Sequence, residues 1–186
     1  MADQLSAALS YLKQNQSRFL DDLKDFVSIP SISTDPSAKA EMLRAAEWVA
    51  DQLRRLGCQN VQILPTAGHP VVYGEILAAG ASKPTILVYG HYDVQPAEPL
   101  ELWDSPPFEP TQRGENLYAR GASDMKGQVV IALKAVEALM RNGGLPVNVK
   151  FMIEGEEEIG SPNLERFIAD HKDLLASDFA STPIPA

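Results

Sequence analysis

Two short apolar runs, Thr85–Val88 and Val149–Ile153, each give way to a cluster of ionisable side chains. The first leads into Tyr89-Gly90-His91-Tyr92-Asp93-Val94, the second into Glu154-Gly155-Glu156-Glu157-Glu158. Short runs rich in Val, Ile, Leu and Phe suit strands buried on both faces, as in sheets covered by helices on each side. In open sheets of that kind, ligands bind in the crevice beyond the carboxyl ends of the strands. An imidazole and several carboxylates delivered there suit a divalent metal and the activation of water.

The rest of the pattern agrees with such a sheet. Leu5, Leu9, Leu12, Phe19, Leu20, Leu23, Phe26 and Val27 recur at helical spacing and predict one amphipathic helix over residues 3–27, ended by Pro30. Asp35-Pro36 reads as an N-cap with proline in the first helical turn. Met42, Leu43, Ala46, Val49, Leu53 and Leu56 line the next helix, and Gly57 stops it. Strands are expected at 61–64, 71–77, 85–89 and 147–153. A helix lined by Val129, Leu133, Val136 and Met140 ends at Gly143-Gly144, and another opens at Ser161-Pro162 with Leu164, Phe167, Ile168, Leu174 and Leu175 inward. The alternation predicts an α/β fold, a mixed and mostly parallel sheet with helices on both faces. The polar, proline-rich connection over 95–116, carrying Trp103, is expected to frame a substrate entrance. Residues 1–178 form the expected domain, and 179–186 a disordered tail without periodicity.

Composition removes several alternatives. With 16 basic against 25 acidic residues the net charge is -9, the wrong sign for a nucleic-acid partner. Cys58 is the single cysteine, so neither an internal disulfide nor a thiolate cluster is available. No apolar run approaches the roughly 18 residues that cross a bilayer. Met1-Ala2-Asp3-Gln4 lacks a basic stretch before an apolar one, so a cytoplasmic protein is the expectation. Nucleophile-elbow, Walker and dinucleotide-binding glycine patterns are missing.

Each ionisable group has a second, structural reading. His91 and Asp93 lie two apart beyond a strand and, with extended geometry, point to one side. Asp93 is then either the partner that orients the imidazole or a ligand itself; a capped structural histidine is the alternative. Asp124 precedes a helix, where it either serves the helix N-terminus or bridges two metal ions. Acidic runs are usually solvated, yet Glu154, Glu156, Glu157 and Glu158 repel one another, and a cation relieves those that converge. One of two adjacent glutamates could hold metal while the other takes a proton from water. His69 is expected at the surface and His171 packed on the last helix.

Three ordered motifs carry a resemblance: Gly90-His91-Tyr92-Asp93-Val94-Gln95-Pro96, Gly121-Ala122-Ser123-Asp124-Met125-Lys126-Gly127, and Glu154-Gly155-Glu156-Glu157-Glu158-Ile159-Gly160-Ser161. Together they resemble the M20 metallopeptidases, and Leu102-Trp103-Asp104-Ser105-Pro106-Pro107-Phe108 resembles the dipeptidase, carnosinase-like branch. The resemblance implies a phosphorylase/hydrolase-like zinc peptidase catalytic domain. It makes His91, Asp124 and Glu158 ligands of two divalent ions, zinc first with manganese or cobalt as alternatives. Asp124 would bridge the ions, Asp93 would orient His91, and Glu157 would be the general base. The implied substrate is a dipeptide, with an N-acyl amino acid or a non-catalytic metal-binding fragment as alternatives. Full-length members of the family are expected to be homodimers with a lid domain, a further aspartate ligand and a late histidine ligand. The resemblance finds none of these here, so the chain is expected to be a truncated catalytic domain with impaired activity.

Overall fold

The computed structural model describes residues 2–183. Helices α1 (Ala2–Gln14) and α2 (Gln16–Val27) come first, then a 3-10 turn at Pro36–Ala38, α3 (Lys39–Leu56), and strands β1 (Gln59–Leu64), β2 (Val71–Ile76) and β3 (Thr85–His91). A small hairpin of β4 (Thr111–Arg113) and β5 (Asn116–Tyr118) precedes α4 (Lys126–Arg141) and β6 (Asn148–Glu154). Helices α5 (Leu164–Asp170) and α6 (Lys172–Leu175) lead into β7 (Phe179–Ser181). The main sheet has the order β1-β2-β6-β3-β7. β2 pairs antiparallel with β1 and β6, whereas β3 pairs parallel with β6 and β7. The expected mixed sheet with helices on both faces is therefore present.

β6 is central, and every one of its residues is buried. Alternation splits its side chains between two cores. Phe151 and Ile153 join Val72, Phe26, Val49, Leu53, Val129 and Leu133 under α3 and α4, while Met152 joins Val71, Tyr73, Leu87, Phe167 and Leu175 under α5 and α6. The outer pair α1 and α2 packs on α4. Asp35 caps the 3-10 turn as expected, its carboxylate accepting the Ser37 amide at 2.8 Å. Gly57 ends α3 in the left-handed region, φ 93°, where its lack of Cβ removes the steric penalty.

Several expectations need correction. The predicted single helix over 3–27 is two, α1 ending at Gln14 and α2 opening at Gln16, with Asn15 leaving helical geometry between them at φ -109°, ψ 13°. The connection over 95–116 is not structureless: it holds a 3-10 turn at Leu100–Leu102 and β4, and runs into β5. The tail over 179–186 is not wholly disordered either. Phe179–Ser181 add to the sheet edge as β7, and residues 184–186 lie outside the described residues. The short strand escapes detection because its sequence, Phe-Ala-Ser, has too little length to show a period. Among the described residues no helix is long and apolar enough to cross a membrane.

Candidate metal centre

The parallel register places His91 beside Glu154, so β3 and β6 end together. The segments beyond the two strands meet at one rim of the sheet, the position expected of a ligand crevice. His91 is buried, its Nε2 directed to Asp124 Oδ1 at 3.2 Å and Glu157 Oε2 at 3.7 Å. Its Nδ1 lies 3.1 Å from the Asp93 carbonyl and 3.2 Å from Asp93 Oδ1. One ring nitrogen is thus occupied by Asp93, while the other faces the acidic cluster.

Asp93 is fully buried and ties the two strand ends together. Besides meeting His91, its carboxylate accepts the amides of Glu157 at 3.3 Å and Glu158 at 3.0 Å. It therefore fixes both the imidazole and the 3-10 turn Glu157–Ile159 that carries the two glutamates. Donor atoms of His91, Glu157 and Glu158 lie within 4.8 Å of one another. Asp124 joins them through His91 from the turn preceding α4; its side chain is exposed. That turn is tight: a Cβ at Gly127 would overlap the Ala122 carbonyl oxygen, so only glycine fits.

The run of four glutamates divides in two. Glu154 is buried and accepts from the Tyr89 hydroxyl at 2.6 Å and Ser161 Oγ at 2.8 Å. Burial raises its pKa against the lowering effect of those two hydroxyls. Glu156 is also buried and accepts from Asn163 Nδ2 and the His69 amide, fastening the loop before β2. Only Glu157 and Glu158 face the cluster, so intramolecular donors rather than a cation relieve the repulsion at the other two. His69 is half-buried against the Ser33 carbonyl rather than lying at the surface. His171 stacks on Phe167 and bonds its carbonyl at 2.9 Å, the packed role expected for it.

Two site features escaped the sequence reading. Gln95 Nε2 donates to Glu158 Oε2 at 2.9 Å and to the Glu158 carbonyl at 3.0 Å, holding that carboxylate in place. Burial and the charge of Asp124 push the Glu158 carboxyl up, and the Gln95 hydrogen bond opposes them. Gln95→Leu is expected to raise the Glu158 pKa further and weaken divalent-ion affinity about tenfold, the lower end for partners of metal ligands, measurable by calorimetry. The second feature is a cavity of about 380 Å³ lined by Tyr89, His91, Asp124, Gln128, Glu157 and Thr182. Thr182 reaches it because β7 runs parallel to β3 toward the same rim. Asp178 stays at the opposite end, accepting the Thr85 amide at 2.7 Å. Trp103 does not line this cavity but a separate hollow with Leu100 and Pro106, its indole donating to the Ala97 carbonyl at 2.8 Å. Cys58 is no thiolate donor, since burial pushes its thiol up to about 12.

Burial alone would lower the His91 pKa, but the Asp93 hydrogen bond and charge, joined by Glu157, outweigh it and raise it to about 9. In metal-free protein, stabilisation from the charged imidazole is complete below its unfolded value near 6.5 and disappears as pH rises through about 9. Thermal midpoints measured in chelator should fall across that interval, and His91→Gln should flatten the fall.

Residues 87–181 match the family described as Peptidase family M20/M25/M40. The chain is 37% identical to Beta-Ala-His dipeptidase of Rattus norvegicus over 93% of its own length and 38% of the relative's. The crystal structure of the M20 family metallo-carboxypeptidase Sso-CP2 from Sulfolobus solfataricus superposes with TM-score 0.82 at 39% identity, over 89% of this chain and 37% of that one. The dipeptidase Dug1p of Saccharomyces cerevisiae gives TM-score 0.89 at 27% identity, over 98% and 41%. The chain spans about two fifths of the length of each. By the extent of the family match and the shared catalytic-domain fold, the chain belongs to peptidase family M20/M25/M40.

Proposed function

We propose that this chain forms part of the catalytic domain of a metal-dependent dipeptidase. The observation that carries the reading is the convergence of His91, Glu157 and Glu158 donor atoms within 4.8 Å, with Asp124 3.2 Å from the imidazole. A mixed nitrogen and oxygen donor set, with the other imidazole nitrogen held by Asp93, suits zinc, manganese or cobalt. His91, Asp124 and Glu158 would hold two ions, Asp124 serving both. When bound, such ions supply Lewis acidity toward a carbonyl oxygen and make a nearby water more acidic.

The chain's own residues account for the proton movement. Glu157 is part-exposed, borders the cavity, and its carboxylate accepts no hydrogen bond among the described residues. In this reading it takes the proton of an attacking water and returns it to the leaving nitrogen. Asp93 keeps the imidazole oriented throughout and holds the Glu157 and Glu158 amides. The dipeptidase names of the rat and yeast relatives support a dipeptide over an N-acyl amino acid. A panel of both substrate classes decides between them: preference for N-acyl amino acids would overturn the dipeptide assignment. Cytoplasmic residence belongs to the same reading.

Among the described residues, two ions would share three ligand residues, His91, Asp124 and Glu158, whereas a catalytic zinc ordinarily takes three protein ligands to itself. The 186-residue chain alone is therefore expected to hydrolyse dipeptides far below enzymatic turnover. Assay with zinc, manganese or cobalt checks this; turnover of about 1–10³ s⁻¹ would contradict it.

A further inference from the structure

Two residues after Asp124, Lys126 is fully buried at the first turn of α4. A cation there opposes the dipole of its own helix. Its ammonium instead donates to the carbonyls of Phe26 at 3.1 Å and Ile29 at 2.6 Å, at the carboxyl end of α2, where a cation is favoured. It also lies 4.9 Å from the Phe26 ring centroid, and that ring stacks on Trp48 at 4.1 Å. The two carbonyls do not depend on it. Phe26 already accepts the Ile29 amide at 3.2 Å, and Ile29 the Ser31 amide at 2.9 Å. Removing the ammonium would orphan neither of them, so its burial is not explained by a need to satisfy the backbone.

The segment it grips has a second attachment. Ser31 Oγ donates to the Tyr92 carbonyl at 2.6 Å, the Val94 amide donates to the Ser31 carbonyl at 2.9 Å, and Ile32 forms a parallel bridge with Val94. Residues 26–32 therefore touch the His91–Val94 segment on one side and, through Lys126, the Asp124 turn on the other. Those two pieces come from opposite sides of a long connection and share no strand.

We infer that Lys126 is a positioning residue that fastens the Asp124 turn to the Phe26–Ile32 segment, setting Asp124 against His91. The inference rests on the metal reading only for what that alignment serves. Lys126→Met, which fills much of the same space without charge, should leave the chain folded. Cobalt bound to the variant should show a changed d–d absorption spectrum and about tenfold or weaker affinity than in the unchanged chain, as for other outer partners of metal ligands. Hydrogen exchange without metal supplies a separate readout: the Ala122 and Gly127 amides, which close the turn onto Ala119 and Gly121, should exchange faster. Ser31→Ala removes the hydroxyl bond of the other attachment, leaving its backbone contacts and Lys126, and should alter the cobalt spectrum too, so a Lys126→Met chain that fails to fold leaves a decisive variant. Folded Lys126→Met with unchanged turn exchange and an unchanged cobalt spectrum overturns the inference, as does an unaltered spectrum in Ser31→Ala if only that variant folds. Should the unchanged chain take up no cobalt, the metal reading fails, while exchange at Ala122 and Gly127 still decides the role of Lys126.

Discussion

His91→Ala is expected to abolish measurable divalent-ion binding while leaving the sheet intact. The imidazole is the one nitrogen donor of the cluster, and its Nε2 lies between Asp124 and Glu157. Without it the remaining donors are carboxylates, which repel one another. The loss should exceed the roughly 10–100-fold expected on removal of an outer partner. Asp93→Asn provides the comparison within that range, because an amide at the same place keeps contact with His91 but no longer raises its basicity. Calorimetric titration with zinc or manganese reads both variants, and thermal melting in chelator reports folding separately. Retained affinity in His91→Ala would mean that the cluster is a solvated acidic rim, and the proposed chemistry would lose its foundation.

How the rim is assembled explains what the sequence could and could not reveal. Strands β3 and β6 were legible because their burial on both faces demands continuous apolar runs, and each run ends where its polar cluster begins. The strand ends led to His91, Asp93 and the run Glu154–Glu158, whereas the roles of Asp124, Glu157 and Glu158 came from the motifs that resemble the family. The separate duties of four nearby glutamates were not. Whether a carboxylate faces the rim or a hydroxyl depends on Tyr89, Ser161, Asn163 and the His69 amide, which approach from other elements. Gln95 and Lys126 were hidden for the same reason: their partners, Glu158 and the end of α2, lie far along the chain. The break at Asn15 is a change in the backbone of one residue, which the apolar period over 3–27 does not register.

Gly155→Ala is expected to destabilise the fold by about 3 kcal/mol, within the range for overpacking a close-packed interior. Gly155 comes directly after β6, and a Cβ there would overlap Tyr92 Cζ, Oη and Cε2. The ring cannot swing aside cheaply. Tyr92 is fully buried, and its hydroxyl donates to the Pro70 carbonyl at 2.7 Å, so moving it would strip that bond inside the core. The alternative is displacement of the backbone after β6, which carries Glu157 and Glu158 and is held by Asp93. Either response links packing to the site, so divalent-ion affinity should fall together with the denaturation midpoint. Tyr92→Ala removes the obstructing ring, and in that background the Gly155→Ala cost should largely vanish. A double-mutant cycle by chemical denaturation measures the coupling. If Gly155→Ala costs the same with and without the Tyr92 ring, the close approach of ring and backbone is not what fixes glycine at this position.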